Sequence, residues 1–298
     1  MSLLLVKRDF TAVQPFTPVN ARETVCGCDF ATCFVEKVFA AVEGTGEYWK
    51  ADKSDFLFKK QIASDTANFQ IIKNGVVIAT ITDNTFGDYY ASFTNAVNTT
   101  GFLADWTAIF AEFGGGKYNI NINYTTFGTT YNLLSRDFRL YPYSTELAHY
   151  TTRLETYQTG NILNLDIDYS ALLADLPNGW YSSMRIEGRF YESGNTLEVN
   201  EYLDTNYERT QNNSEVINTY SLETSIIPDS VKKNLTNNMI LANRFLITDY
   251  DLYASQIFRR QEVAAESFET VEQKQQMGGT KFVILFNDRF KNIKKRNF

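Results

Sequence analysis

The sequence predicts a mainly β protein with two sandwich-like or barrel-like domains, each carrying one short packed helix. Thr and aromatic residues suit the half-buried face of a pleated sheet, and the chain has 31 Thr, 23 Phe and 18 Tyr. Asn suits turns and occurs 26 times, and several segments alternate apolar and polar residues at period two. A chain of 298 residues has room for about two domains.

The N-terminal arm, residues 1–25, contains Pro15 and Pro18 and shows no clear period. Two interpretations stay open, a loose terminus or an arm that lies on a neighbouring subunit. In the second case the apolar residues Leu3, Leu4, Phe10 and Phe16 would make the contact.

The first predicted domain spans residues 26–141. Asn74-Gly75 lies between two β-type segments and predicts a hairpin, because both residues tolerate positive φ. Residues 118–124 alternate at every step, which predicts a strand with one wet face, and a return strand should follow Gly128.

A helix is predicted at residues 101–113. Apolar residues recur there at spacings of three and four, from Phe102 to Phe113, and Gly114-Gly115-Gly116 would end it. An aromatic stripe could bind a ligand, but such a stripe far more often packs a helix onto a sheet, and we interpret it as core.

The second predicted domain spans residues 142–298. Strands are expected at 151–157 and 180–191, with a hairpin at Gly194-Asn195. The polar stretches 208–215 and 258–276 are interpreted as loops. A short helix is expected over 228–241, with Pro228 at its start, where a missing N–H is tolerated.

The basic C-terminal tail contains Arg289, Lys294, Lys295 and Arg296. It is interpreted either as a solvated terminus or as a contact with an acidic neighbouring subunit.

Cys26, Cys28 and Cys33 are the cysteines of the chain. Three interpretations stay open: zinc ligands, a disulfide, or small buried residues. A tetrahedral zinc site lacks an obvious fourth ligand, because the single histidine, His149, is far away in sequence.

Charge and hydropathy exclude several function classes. A net charge of −7 gives no reason to expect direct nucleic-acid binding. No apolar segment approaches the roughly 20 residues that a membrane span needs, so no membrane insertion is expected. The apolar run at Leu3 is too short for a signal peptide, and we expect synthesis and folding in a cytoplasm.

The search for catalytic motifs does not predict an enzyme. One histidine makes a Ser or Cys hydrolase improbable, and no nucleophile elbow, phosphate loop or zinc-protease helix occurs in the sequence. No cofactor and no metal site is therefore expected. The remaining enzymatic alternative is a glycan-degrading enzyme, for which Asp166 and Asp168 on one strand face could be a carboxylate pair.

Carbohydrate binding for host attachment is the other alternative. Trp180 and Tyr181 follow a Pro-Asn-Gly turn, and exposed aromatic rings on a β fold can stack on sugar faces. These two residues are the candidate glycan contacts.

The C-terminal part resembles uncharacterised structural virion proteins of tailed phages that infect Bacteroidota. The resemblance covers roughly residues 118–298, and its motifs are structural rather than catalytic. The segments that carry it are LYPYS at 140–144, GWYSSMRIEGRF at 179–190, SIIP at 225–228, LAN at 241–243 and ITDYD at 247–251.

The resemblance implies a non-enzymatic tail, baseplate or tail-adaptor protein that forms a ring around the tail axis. Its partners would be copies of itself and other virion proteins, and its location would be the virion. Aromatic residues suit the large interfaces of such subunits.

Overall fold

The structure is a computed structural model that describes a large part of the chain, in segments separated along the sequence. These are residues 17–18, 35–40, 52–60, 62, 64–82, 85–94, 99–142, 151–158, 161–162, 167–168, 180–203, 209–237, 239–249, 259–274, 279–288 and 292–295.

The N-terminal half forms a β-sandwich. Its strands are β1 (Thr17–Pro18), β2 (Val35–Phe39), β3 (Lys53–Lys59), β4 (Thr66–Lys73), β5 (Val76–Ile81), β6 (Phe86–Gly87), β7 (Tyr90–Thr94), β8 (Thr99–Asp105), β9 (Gly116–Thr126), β10 (Thr129–Leu134) and β11 (Asp137–Tyr141). Strands β3, β8, β7 and β6 make one sheet, and the other seven make the second. The sheets meet through aromatic rings, since Phe69 stacks on Phe102 with centroids 5.0 Å apart and Phe56 meets Phe138 edge-on at 5.8 Å.

The C-terminal half is built around a closed antiparallel barrel. Its strands are β12 (Thr151–Gln158), β13 (Asn161–Ile162), β14 (Ile167–Asp168), β15 (Trp180–Leu203), β16 (Arg209–Thr224), β17 (Ile227–Pro228), β18 (Arg244–Asp249), β19 (Arg259–Lys274), β20 (Gly279–Asp288) and β21 (Asn292–Lys295). Six of them close on themselves in the order β12, β15, β16, β20, β19, β18 and back to β12.

Within the described residues, each half has its own apolar core and one helix, as the sequence predicts. Helix α1 (Trp106–Phe113) packs on the sandwich, and helix α2 (Asp229–Asn237) packs on the barrel, followed by a short 3₁₀ helix (Met239–Leu241). Val231 and Leu235 of α2 are fully buried in the barrel core. The mainly β fold is confirmed, whereas the boundary between residues 141 and 142 stays a prediction, because residues 143–150 lie outside the described part.

The predicted start of the first helix is wrong. Phe102 and Leu103 lie in β8, where Phe102 is fully buried in the sandwich, and the helix begins at Trp106. Asp105 caps it, since its Oδ1 accepts hydrogen bonds from the backbone N–H groups of Thr107 and Ala108 at 3.1 and 3.2 Å. Apolar spacing alone could not separate an inward-facing strand from the first turn of the helix.

The hairpin at Asn74-Gly75 is confirmed, with φ of 50° and 84° at the two residues.

The predicted hairpin at Gly194-Asn195 is wrong, because β15 continues through these residues to Leu203 with a register shift between Glu192 and Gly194. A glycine inside a strand often marks a bulge of this kind.

Both stretches interpreted as loops are strands. Residues 209–215 belong to β16, and 259–274 form β19. Residues 264–269 of β19 are all exposed. A strand that lacks a buried face does not show the apolar alternation from which strands are predicted.

The return strand after Gly128 is divided in two. β10 and β11 both pair with β9, and between them the backbone N–H of Ser135 donates to the carbonyl of Ile120 at 2.8 Å. The break directs the side chain of the next residue, Arg136, toward β2, which pairs with β11 in parallel.

The predicted wet face of β9 is also wrong. Asn119 and Asn121 are only 7% and 5% exposed. The side-chain NH₂ group of Asn121 donates to Gln70 on β4 at 2.7 Å and to Asn132 on β10 at 3.2 Å, so side chains of the neighbouring strands bind the buried donor.

The termini take part in sheets. Thr17 and Pro18 of the arm pair with β10, and residues 292–295 of the basic tail pair with β16 as β21. Those parts of the two segments are thus ordered β structure, not irregular extensions. No helix in the described part of the chain is long and apolar enough to cross a membrane.

Candidate functional site: a buried charge network between sandwich and barrel

The strongest concentration of buried charge lies where the sandwich meets the outer face of the barrel. On β12 and β15, alternate residues face the barrel interior, while the others face outward. The outward set includes Arg153, Glu155, Tyr181, Ser183 and Arg185, all at most 3% exposed. The sandwich covers them, since β15 contacts both β2 and β3.

Asp52, immediately before β3, is the centre of this contact. Its Oδ1 accepts from Arg153 Nε at 2.7 Å, and its Oδ2 accepts from Arg185 Nε at 2.8 Å. The backbone N–H of Phe39 donates to Oδ2 at 3.0 Å, and the Ser183 hydroxyl donates to Oδ1 at 3.3 Å. One carboxylate of the sandwich thus holds two arginines of the barrel.

Glu36 on β2 makes the second connection. Arg136 Nε donates to Glu36 Oε2 at 2.7 Å within the sandwich, and the backbone N–H of Arg185 donates to Oε1 at 3.1 Å from the barrel. The Arg185 guanidinium also lies 4.6 Å from the ring centroid of Phe39, a cation–π contact across the same interface.

Glu155 extends the charges along the barrel wall. Arg153 Nη1 lies 3.0 Å from Glu155 Oε1, and Arg260 Nε donates to Oε2 at 2.8 Å. Arg260 Nη2 donates to the Tyr157 hydroxyl at 3.0 Å, and Arg153 donates to the Tyr181 hydroxyl. We call this set the Asp52 network, comprising Glu36, Asp52, Arg136, Arg153, Glu155, Arg185 and Arg260.

The two sandwich carboxylates have opposite pKa shifts. Burial opposes ionisation of Asp52, but Arg185 and Arg153 outweigh it, so the pKa of Asp52 lies below its usual value. Burial raises the pKa of Glu36, and Arg136 offsets only part of that effect. Asp52 is therefore the carboxylate that anchors the contact as a charged group at neutral pH.

The phenols beside the network are held neutral. Burial, reinforced by the Glu155 carboxylate, raises the pKa of Tyr157 to about 12. Burial also raises the pKa of Tyr181 well above its usual value, although Arg153 acts in the opposite direction. Both phenols thus act as hydrogen-bonding groups at neutral pH.

A buried carboxylate that is paired with two arginines is suited to joining two parts of the chain. Asp52 accepts hydrogen bonds from Arg153, Arg185, Ser183 and the backbone of Phe39, and its low pKa makes it a weak base, which is unfavourable for proton transfer. Its arrangement instead fixes two pieces of the chain in one orientation, because charge-assisted bonds are directional.

The sequence-predicted glycan contacts do not form a pair of exposed rings. Tyr181 is 1% exposed and lies against Tyr157 with centroids 4.9 Å apart, so its ring cannot stack on a sugar. That part of the carbohydrate hypothesis is corrected, because the outer barrel face is covered by the sandwich. Trp180 begins β15, and its side chain lies outside the described residues, so its role stays a prediction.

The predicted subunit contacts fall mostly outside the described part of the chain. Leu3, Leu4, Phe10, Phe16, Arg289 and Arg296 lie there, as do the three cysteines. Lys294 and Lys295 are placed through their backbone in β21, opposite Ser214 and Asn213. Of the Asp166–Asp168 pair, only the backbone of Asp168 is described, in β14.

Sequence reasoning missed the Asp52 network. The sequence predicts an alternating strand at 151–157, but nothing in this pattern separates the charged positions Arg153 and Glu155 from the solvated face of a strand. A wet face and a buried, paired face have the same pattern, and the partner Asp52 is 101 residues from Arg153.

Comparisons with known proteins leave the chain without a family assignment. No protein-family model matches it, and no curated protein sequence matches it significantly.

Proposed function

We propose that the chain is a non-enzymatic structural subunit of a bacteriophage virion, a ring-forming tail, baseplate or tail-adaptor protein. The virion assignment comes from the sequence resemblance of residues 118–298. The geometry supports the mechanical part of the proposal, that of a stiff block that assembles with copies of itself.

The observation that carries the mechanical part is the Asp52 network. Its cross-interface bonds, such as Arg153–Asp52 and Arg185–Asp52, join the sandwich to the barrel in a buried setting where water and salt screen them little. A subunit that transmits force along a tail needs its two halves fixed in this way.

Exposed apolar side chains support self-assembly. Phe127 is 77% exposed, Phe268 58% and Leu241 47%. They lie on both the sandwich and the barrel, and an assembly of copies would remove such surface from water.

The test is the solution mass of the purified full chain, measured by light scattering across protein concentration, with electron microscopy of the same sample. A discrete trimer, hexamer or dodecamer with ring-shaped particles is expected. A monomer at the highest soluble concentration would contradict the ring-forming proposal, and a glycan array would then test the carbohydrate-binding alternative.

A further inference from the structure

We propose that Phe127 of one copy inserts into an apolar pocket on the barrel of the next copy, forming a head-to-tail contact. This inference rests on the proposed self-assembly and names the two surfaces that would carry it. The first lies on the sandwich and the second on the barrel, so a copy can use both at once.

Phe127 occupies an unfavourable position in its own chain. It lies in the two-residue turn between β9 and β10, where Thr126 pairs with Thr129. Its φ is 47°, a left-handed conformation that is unusual for a bulky residue, and its side chain is 77% exposed. For the stability of the monomer alone, a smaller polar residue would suit this position better, because it would tolerate the positive φ and expose no apolar ring.

The other tight hairpin of the same sandwich provides the comparison. Asn74-Gly75 has φ of 50° and 84°, and Phe127-Gly128 has φ of 47° and 76°. The two turns share one geometry, for which Asn-Gly is the favoured pair. The geometry of the turn therefore does not explain Phe127, and a role outside the monomer does.

The pocket lies between the 3₁₀ helix and β19, opens to the surface and has a volume of about 380 Å³. This is near the lower end of the roughly 300–1,000 Å³ of small-molecule sites. Leu241, Phe245, Val263, Ala265 and Phe268 line it. Leu241 and Phe268, at 47% and 58% exposed, leave their apolar surface open to an incoming side chain.

The hairpin tip matches this pocket in chemistry. Residues 125–130 read TTFGTT, with one apolar side chain between threonines and no charge to desolvate. The exposed Thr129 beside the tip can meet the exposed polar residues of the pocket, Glu266 and Ser267. Interface hot spots are typically large residues that fill a pocket on the partner, surrounded by weaker contacts that exclude water.

The contact would be heterologous, because the tip and the pocket are different surfaces. Contacts of this type build closed rings when the rotation between copies closes, and filaments when it does not. The proposal thus supplies the type of interface that a ring requires.

The first test compares the self-association of the full-length chain with that of Phe127→Asn. The variant restores the favoured turn pair, so its fold should be at least as stable, while association should weaken roughly 10- to 100-fold for the loss of one buried Phe. Val76→Asn is the matched control, since it removes an exposed apolar residue beside the other hairpin and should leave association unchanged.

The second test places the photo-reactive residue benzoylphenylalanine at position 127 and maps the crosslinks by mass spectrometry. Crosslinks between copies to residues 240–245 or 263–268 are expected, and Leu241→Glu should abolish them. Crosslinks to other residues, or none in an oligomeric sample, would overturn the inference. If wild type assembles and Phe127→Asn assembles equally well, this inference fails while the ring proposal stands; a monomeric wild type removes both.

Discussion

At the residue scale, Asp52 determines how the two halves hold together. Its carboxylate is 1% exposed and accepts from Arg153 and Arg185. Taking one partner out of a buried ion pair is costly, because the remaining charge keeps its desolvation penalty without its counter-charge. Here two arginines would be affected at once.

Asp52→Asn should therefore lower the free energy of unfolding by about 3–5 kcal/mol at neutral pH. Denaturant unfolding followed by circular dichroism would measure the change. Glu187→Gln is the control, since Glu187 is an exposed carboxylate on β15, and it should change stability by less than about 0.5 kcal/mol. Equal effects of the two substitutions would contradict the anchoring role.

The same residue predicts a pH dependence. The folded-state pKa of Asp52 is below its unfolded value of about 3.9, so its stabilisation is complete above that pH and is lost as the pH falls through the folded pKa. Glu36 acts with the opposite sign, because its pKa is raised and its contribution is lost as the pH rises.

We therefore expect the stability difference between wild type and Asp52→Asn to be constant from pH 7 down to about 5 and to shrink below about pH 4. Denaturant titrations of both proteins across this range would show it. A difference that stayed the same at pH 3, or grew, would show that Asp52 does not carry the charge that the network requires.

At the element scale, β15 lies close to β16 at Gly188, where a side chain would collide with the backbone of that strand. A Cβ at Gly188 would lie 2.5 Å from the carbonyl oxygen of Glu223 on β16. A Cβ at Gly194, on the same strand, would meet only the Thr219 hydroxyl at 3.5 Å. The two glycines thus differ in the space around them.

Gly188→Ala should destabilise the barrel by about 1–3 kcal/mol, because backbone rather than a movable side chain must give way. Gly194→Ala, its matched control, should stay within about 0.5 kcal/mol of wild type. Thermal unfolding of both variants would compare them, and a Gly188→Ala protein as stable as its control would contradict the close packing of β15 on β16.

The N-terminal cap of α1 gives a second prediction at this scale. Asp105→Ala removes the acceptor for Thr107 and Ala108 N–H groups and also the ion pair with Lys53, whose Nζ lies 2.9 Å from Asp105 Oδ2. A loss of about 1–2 kcal/mol is expected, mostly from the cap, because the ion pair is partly exposed. Asp105→Asn keeps a capping oxygen and should recover most of the loss in a denaturant titration.

Elements set by local chemistry could be predicted from the sequence. Asn74-Gly75 gave the hairpin because that turn needs positive φ at both residues, and Val231 with Leu235 gave the apolar stripe of α2. Residues 209–215 of β16 and 259–274 of β19 could not be recognised as strands, because these stretches are polar in sequence, and residues 264–269 have no buried face that would impose alternation. The helix start was misplaced because Phe102 continues the apolar spacing of α1 while facing the sandwich core.

At the scale of the whole molecule, the mainly β class followed from composition, but the arrangement of sandwich against barrel did not. It depends on pairs such as Arg185 and Asp52, 133 residues apart, whose side chains look like solvated charges in the sequence. Tertiary packing decides whether a charged strand face is buried, and the local sequence pattern does not predict that packing.

The shared network should make the two halves unfold together. We expect one calorimetric transition for wild type and two for the double variant Glu36→Gln, Asp52→Asn, because each half keeps its own apolar core. The variant Glu187→Gln should keep a single transition. Two transitions in wild type would mean that the interface is too weak to couple the halves.

The long sequence separation within the network also has a consequence for synthesis. Asp52 leaves the ribosome 101 residues before Arg153 and 133 before Arg185, roughly 5–27 seconds at 5–20 residues per second. During that delay the carboxylate can stay hydrated, because the barrel that buries it has not yet been made. Because the contact surface of the sandwich is charged, it is compatible with water before the barrel has been made. An apolar contact surface would be exposed during the same delay and could promote aggregation.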